Sequence, residues 1–250
     1  MVPHGSPPSS IPSVPRSLAR WGLALTTSAI GMTGAALVRL ASPVAAQRLI
    51  RATCALDHRI FRLDVRLHDR SAGVYERPPY VFVHLDQTSL SESFLLPWLA
   101  PRPYRIIVNL EYALLPVLGW VNFALGARIV VRQWPAQAKR TIARAIDDLR
   151  RGDTYLISIE GRRSPDGALQ PYKKGPVVMA IESGATIVPF LTLGARERLP
   201  HGEWRMRPGP VDVVLLEPIS TKGLTYDDRD ALVARLRALA EREIAAWPGR

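Results

Sequence analysis

A single cysteine, Cys54, stands in a chain of 250 residues, which excludes an intramolecular disulfide framework and leaves that thiol to pack as a small apolar group. Acids are the scarcer charged class. With 22 Asp and Glu against 33 Lys and Arg the formal charge is +11, which favours a partner carrying negative charge. Nucleic acid needs more than charge. The chain has no zinc-ligand spacing, no helix-turn-helix signal with a convincing recognition helix and no aromatic RNA-binding box, so nucleic acid is not an expected partner. An anionic bilayer and a phosphorylated substrate are left. Disorder is scarce as well: a hydrophobic content of 47% can bury one large core, and only residues 1–20, rich in Pro and Ser, read as a loose tail.

From Trp21 to Val38 there is no charged residue at all. As a helix this run reaches roughly 27 Å, about the thickness of a hydrocarbon core, and residues 21–40 read as a membrane anchor. Thr26, Thr27, Ser28, Thr33 and the glycines dilute it, so a shallow interfacial helix or a core helix stays open. Val44-Ala45-Ala46 resembles a signal-peptide cleavage site, but the apolar run is long for that role. Residues 41–62 alternate Arg48, Arg51, Arg59 and Arg62 with Leu49, Ile50, Ile60 and Phe61, a basic amphipathic linker helix suited to anionic headgroups. This excess of positive charge after the anchor implies an inner membrane of bacterial type with the following domain on its cytoplasmic side.

After Leu63 the apolar period changes to two, which predicts a half-buried strand, and Tyr80-Val81-Phe82-Val83-His84 predicts a second, fully buried one. Thr88-Ser89-Leu90-Ser91-Glu92 reads as a hydroxyl-capped helix start. Further strands are expected at Arg105–Val108, Arg128–Val131, from Tyr155, at Thr186–Leu191 and around Val211–Leu216. Helices are expected at Tyr112–Leu125, Ala136–Arg151, from Pro176 and after the Thr225–Asp228 capping box. Such alternation builds an α/β fold, a largely parallel central sheet with helices on both faces, whose ligands bind at the C-terminal ends of the strands.

One strand end stands out. Tyr155–Ile159 stops at Glu160-Gly161-Arg162-Arg163-Ser164, where a glycine permits a sharp turn and guanidinium groups can grip phosphate or carboxylate bidentately. Lys173 and Lys174 follow, just before the helix at Gly175-Pro176.

Four segments in order resemble the glycerolipid acyltransferase family, the enzymes that acylate lysophosphatidic acid and related lysophospholipids. Glu160–Ser164 is similar to the family's E-G-T-R-S block, with Arg162 for threonine, and Pro171-Tyr172-Lys173-Lys174-Gly175 resembles P-F-K-x-G. Ile187-Val188-Pro189 resembles the late I-V-P segment, and Glu111, Pro116, Gly119, Gly126 and Arg132 match the spacing of a further block. The resemblance implies a glycerol-3-phosphate acyltransferase-like domain over residues 63–250. It also implies transfer of an acyl group from acyl-CoA or acyl-carrier protein, as co-substrate, to a lysophospholipid hydroxyl, with no metal or other cofactor. Membrane lipids and a phosphate-bearing lysolipid are the implied partners. By resemblance Arg163 holds the acceptor's phosphate, Arg162 and Lys174 add charge, and Glu160, Gly161 and Ser164 shape the loop.

The departure lies in the family's N-H-x-S-x-x-D block. Aligned on Ser89, this chain reads Asp86-Gln87-Thr88-Ser89-Leu90-Ser91-Glu92, and glutamine cannot accept a proton near neutral pH. The replacement candidate is His84 at the strand end, at the mouth of the site, with Asp86 and Glu92 as orienting acids. A catalytically impaired, lipid-binding relative is the alternative.

Overall fold

The computed structural model describes residues 11–248 except 75–76, 101, 115–118, 120–121, 123–125 and 132. Two helices lead, α1 (Val14–Arg39) and α2 (Pro43–Phe61). The sheet then builds through β1 (Leu63–Asp69), β2 (Tyr80–His84), α3 (Glu92–Leu99), β3 (Arg105–Asn109), the short α4 (Leu110–Ala113) and β4 (Arg128–Val130). It closes with α5 (Pro135–Arg150), β5 (Tyr155–Ser158), α6 (Gly175–Ser183), β6 (Thr186–Leu193), the short α7 (Ala195–Arg198), β7 (Gly209–Leu215) and α8 (Arg229–Ala246).

The strand order is β1-β7-β6-β2-β5-β3-β4, parallel throughout except where β7 runs antiparallel to β6. All five residues of β2 are buried, as a strand with neighbours on both edges and helices over both faces must be. Val81, Val83, Ile187 and Leu191 pack beneath α5, α6 and α8, while Tyr80, Phe82, Phe190 and Val213 face α1 and α2. The expected α/β architecture is the one formed. The capping box before α8 is also present: the Asp228 carboxylate accepts from the Thr225 backbone N–H at 2.7 Å.

The N-terminal helices differ from expectation in two respects. α1 starts at Val14, inside the stretch read as a tail, because Ser13 and Pro15 suit a helix start. α2 is a packed layer rather than a linker: Ala46, Ile50 and Cys54 join the core around Tyr80 and Phe82. Small residues let the two helices close up. A β-carbon on Gly31 would fall 2.1 Å from the Thr53 hydroxyl, and Thr27 and Ser28 each donate to Asp57 at 2.7 Å. The far side of α1 carries Leu18, Leu23, Ile30 and Leu37 in the open, and α1 is long and apolar enough to cross a membrane. Of the helix expected at Tyr112–Leu125, the described part is α4 and isolated residues; Pro116 and Arg132 lie outside the described residues.

Candidate active site

β2, β3 and β5 end together at the C-terminal edge of the sheet, and a cavity of about 460 Å3 opens there between α3, α5 and the loop that follows β5. Arg163, Lys173, Gly161 and Gln87 line one part of it; Leu96, Pro97, Tyr104 and Ile106 line another. Gln87 Oε1, Ser158 Oγ and Asn109 Nδ2, all from lining residues, find no hydrogen-bond partner among the described residues. Buried polar atoms are rarely left so, and these three belong to residues lining a single cavity, where a polar ligand can meet them.

The loop from Glu160 to Lys173 is held by its backbone. Gly161 has φ +68°, a left-handed turn that side chains resist, and it bends the chain away from β5. Buried Glu160 accepts from Gln87 N at 2.7 Å and from Gln170 N, so one carboxylate ties the β2 corner to the loop. Burial pushes the Glu160 carboxyl up to about 7, against the pull of those two amides. Ser164 N donates to Gln87 O at 2.7 Å, its hydroxyl accepts from Gly167 N, and Tyr172 donates its hydroxyl to Leu85 O at 2.7 Å. Glu160 and Ser164 therefore shape the loop, while Gly161 and Arg163 line the cavity.

Two expected phosphate ligands stand elsewhere. Beyond the turn at Gly161 the Arg162 side chain points to solvent and donates to Gln170 Oε1 at 3.0 Å. Lys174, the first residue before α6, reaches across to Asp230 at 2.7 Å, and Lys173 takes the place on the cavity wall. The P-F-K-x-G spacing already carried this signal, since with Pro171, Tyr172 and Gly175 in register the motif lysine is Lys173.

The corner after β2 also corrects the expected placement of His84. Side chains alternate along the strand, so His84 follows Tyr80 and Phe82 into the layer under α1 and α2, fully buried and stacked on Phe190 at 4.8 Å. Gln87 is the residue that lines the cavity. Asp86 does approach His84 as expected, 3.1 Å from Nε2, and the Thr192 hydroxyl lies 3.0 Å from the same nitrogen. Asp86 in turn accepts from Thr192 N at 2.9 Å. With a carboxylate against it, Nε2 is the protonated nitrogen, and Nδ1 finds no partner among the described residues.

Glu92 folds back over the corner instead of being capped by it. Its Oε1 accepts from Thr88 N at 2.8 Å and Ser89 N at 3.0 Å, and its Oε2 stops 4.0 Å from His84 Nδ1, beyond a direct bond. Burial pushes the Glu92 carboxyl up to about 7, opposed by the charge of His84. Burial works against a charge on His84, but Glu92, Asp86 and Glu160 outweigh it and the net shift is upward. Each of these shifts arises from burial and from the acids and imidazole packed against one another at the corner. Thr192 was missed from the sequence; its position on β6, two residues beyond Phe190 and on the same face, was the available clue.

Residues 73–192 match the Acyltransferase family model. Among curated proteins it is similar to 1-acyl-sn-glycerol-3-phosphate acyltransferases. That of Limnanthes alba is 33% identical over 157 residues, covering 62% of this chain and 56% of the relative. The Pseudomonas aeruginosa enzyme is 25% identical over 160 residues, covering 64% and 61%. The chain thus spans little more than half the length of the curated relatives it matches first. The fold is shared with the crystal structure of the 1-acyl-sn-glycerophosphate (LPA) acyltransferase PlsC from Thermotoga maritima. The TM-score is 0.76 at 22% identity, with 94% of this chain and 97% of that one covered.

Proposed function

We propose that the protein is a membrane-associated O-acyltransferase that moves a fatty acyl group from acyl-CoA or acyl-carrier protein to a glycerol hydroxyl of a lysophospholipid such as lysophosphatidic acid. The observation that carries this reading is the divided lining of one cavity in an acyltransferase domain. Arg163 and Lys173 supply the charge that a phosphate needs, and the wall of Leu96, Tyr104 and Ile106 supplies apolar surface for a hydrocarbon chain. The exposed leucines of α1 meet the bilayer in which such substrates reside, with the domain on the cytoplasmic side.

In the transfer the acceptor oxygen attacks the thioester carbonyl carbon, the carbon–sulfur bond breaks, and the hydroxyl proton has to leave as the new ester forms. In this reading His84 takes the proton on Nδ1, with Nε2–H steadied by Asp86 and Thr192. The acceptor hydroxyl must then enter the corner behind Gln87.

A second reading is favoured by one observation, that Gln87 and not His84 lines the cavity. A carboxamide can orient a hydroxyl but cannot take its proton, and on this reading the domain binds lysolipid without turnover. Purified protein given labelled acyl-CoA or acyl-carrier protein with lysophosphatidic acid separates the two. Turnover that His84→Gln abolishes, in a variant that keeps its melting temperature, supports the first; turnover that survives rejects His84 as the base. Binding without turnover that Gln87→His converts into turnover supports the second.

A further inference from the structure

A second concavity, of about 360 Å3, lies at the N-terminal ends of β3 and β4, across the sheet from the cavity edge. Arg39, Arg105 and Arg128 line it with Ala36, Leu40 and Gly126. Arg105 Nε bonds Asp153 at 2.7 Å, and Arg128 and Arg151 both bond Asp148. Among the described residues, four guanidinium groups, Arg39 among them, therefore gather around two carboxylates.

The backbone is shaped to let these cations converge. Gly126 sits at φ +62°, and a β-carbon there would fall 2.6 Å from Arg39 Nη2 and 3.1 Å from Arg105 Nη1. A side chain there would press on both guanidinium groups, and the left-handed backbone itself favours glycine. Burial first, and then the like charge of Arg105, disfavour the charge on Arg39. A divalent anion relieves such crowding, and guanidinium forks match phosphate oxygens bidentately.

The rim decides which phosphate. Leu40 is 81% exposed and Leu37 65%, so the cationic pocket borders the apolar face of α1. A soluble metabolite gains nothing from those leucines; a headgroup above acyl chains meets both surfaces at once.

We propose that Arg39, Arg105 and Arg128 form a headgroup site for the phosphate of an anionic phospholipid of the bilayer, separate from the substrate cavity. The site rests on the reading that α1 meets a bilayer. It gives the basic balance of the chain a local purpose, fixing how α1 and the neighbouring strand ends sit on the membrane.

The test is co-flotation of the full chain with vesicles of phosphatidylcholine alone and of phosphatidylcholine with phosphatidylglycerol, at fixed salt. Wild type is expected to prefer the anionic vesicles, and Arg39→Gln to reduce that preference about fivefold, the scale of one cation near a charged surface. Ala36→Glu, which puts a carboxylate into the pocket without touching its arginines, is expected to do the same, while Arg163→Gln leaves the preference intact. Neutral-vesicle binding is expected to survive in all three. Equal binding of wild type to both vesicles, or an unchanged preference in both pocket variants, overturns the headgroup site and leaves membrane association standing. Binding of wild type to neither vesicle overturns membrane association itself, and the site with it. Inorganic phosphate that raises the melting temperature of wild type but not of Arg39→Gln, without a vesicle preference, assigns the pocket to a soluble anion and overturns the lipid assignment.

Discussion

The loop after β5 and the corner after β2 face each other across one cavity edge, yet they handle their polar groups in opposite ways. The loop fixes its backbone with Glu160 and Ser164 and leaves Arg163 turned to the cavity. The corner turns His84, Asp86 and Glu92 inward onto one another and presents Gln87 and Leu90 to the cavity. A phosphate at the first would meet Arg163 and Lys173 on the cavity wall. Chemistry at the second needs access to a nitrogen that is sealed, or needs a different residue at position 87. The contrast teaches that, on the proposed function, binding and proton transfer rest on separate groups and can be lost separately.

Because Glu160 joins the two regions, its removal should have the largest effect. Glu160→Ala strands the N–H groups of Gln87 and Gln170, and each buried unsatisfied donor costs about 1–3 kcal/mol. Urea unfolding should show a loss of several kcal/mol, and ligand binding should fail with it. A fully stable Glu160→Ala would mean that loop and corner are not coupled through this carboxylate.

The corner's acids predict an unusual dependence on pH. Glu92 and Glu160, each raised to about 7, hold protons in the folded state that the unfolded chain releases from about 4.5 upward. His84, also raised, acts with the same sign at higher pH. Stability therefore falls as pH rises through 4.5 to 7. Carboxyls shifted the other way, such as Glu203 at about 2, contribute stability that is lost only as pH falls below about 4.5. Denaturation across pH 5 to 8 should give a falling curve for wild type and a flatter one for Glu92→Gln. An identical slope in the two proteins would remove Glu92 from the cluster.

At the loop, Arg163→Gln should weaken lysophosphatidic acid binding roughly tenfold, the worth of a charge-assisted bond, measured by calorimetry in detergent. A phosphate-free monoacylglycerol should bind both proteins alike. Equal loss for the two ligands would show that Arg163 supports the cavity wall rather than the phosphate.

Much of the fold was legible because it follows from short-range pattern. The buried run Tyr80–His84, the period-two stretch from Leu63 and the Thr225 capping box each announce their element within a few residues. Side-chain direction at the ends of elements was less legible. Whether His84 or Gln87 meets the cavity depends on the parity of β2 and on the chain's path beyond its last residue, which Tyr172, Glu160 and Thr192 fix from distant positions. The role of α2 was obscured for a related reason. Its arginines advertise a surface helix, and the partners of Ala46, Ile50 and Cys54 come from strands far along the chain.

The smallest expected effect sharpens the comparison at its finest point, between adjacent lysines. Lys174 is over half exposed and bridges Asp230, an exposed pair worth about 0–1 kcal/mol, so Lys174→Ala should leave both stability and lysolipid affinity nearly unchanged. Lys173→Ala removes a cation from the cavity wall while its backbone N–H still bonds Ile159 O at 2.7 Å, so stability should hold and affinity for the phosphate-bearing lysolipid should drop. Raising salt should narrow the difference only slightly, because a partly enclosed charge is screened less than one in open solvent. If the two variants bind equally well, the cavity wall takes its charge from Arg163 alone, and the second cation of the motif serves only to start α6.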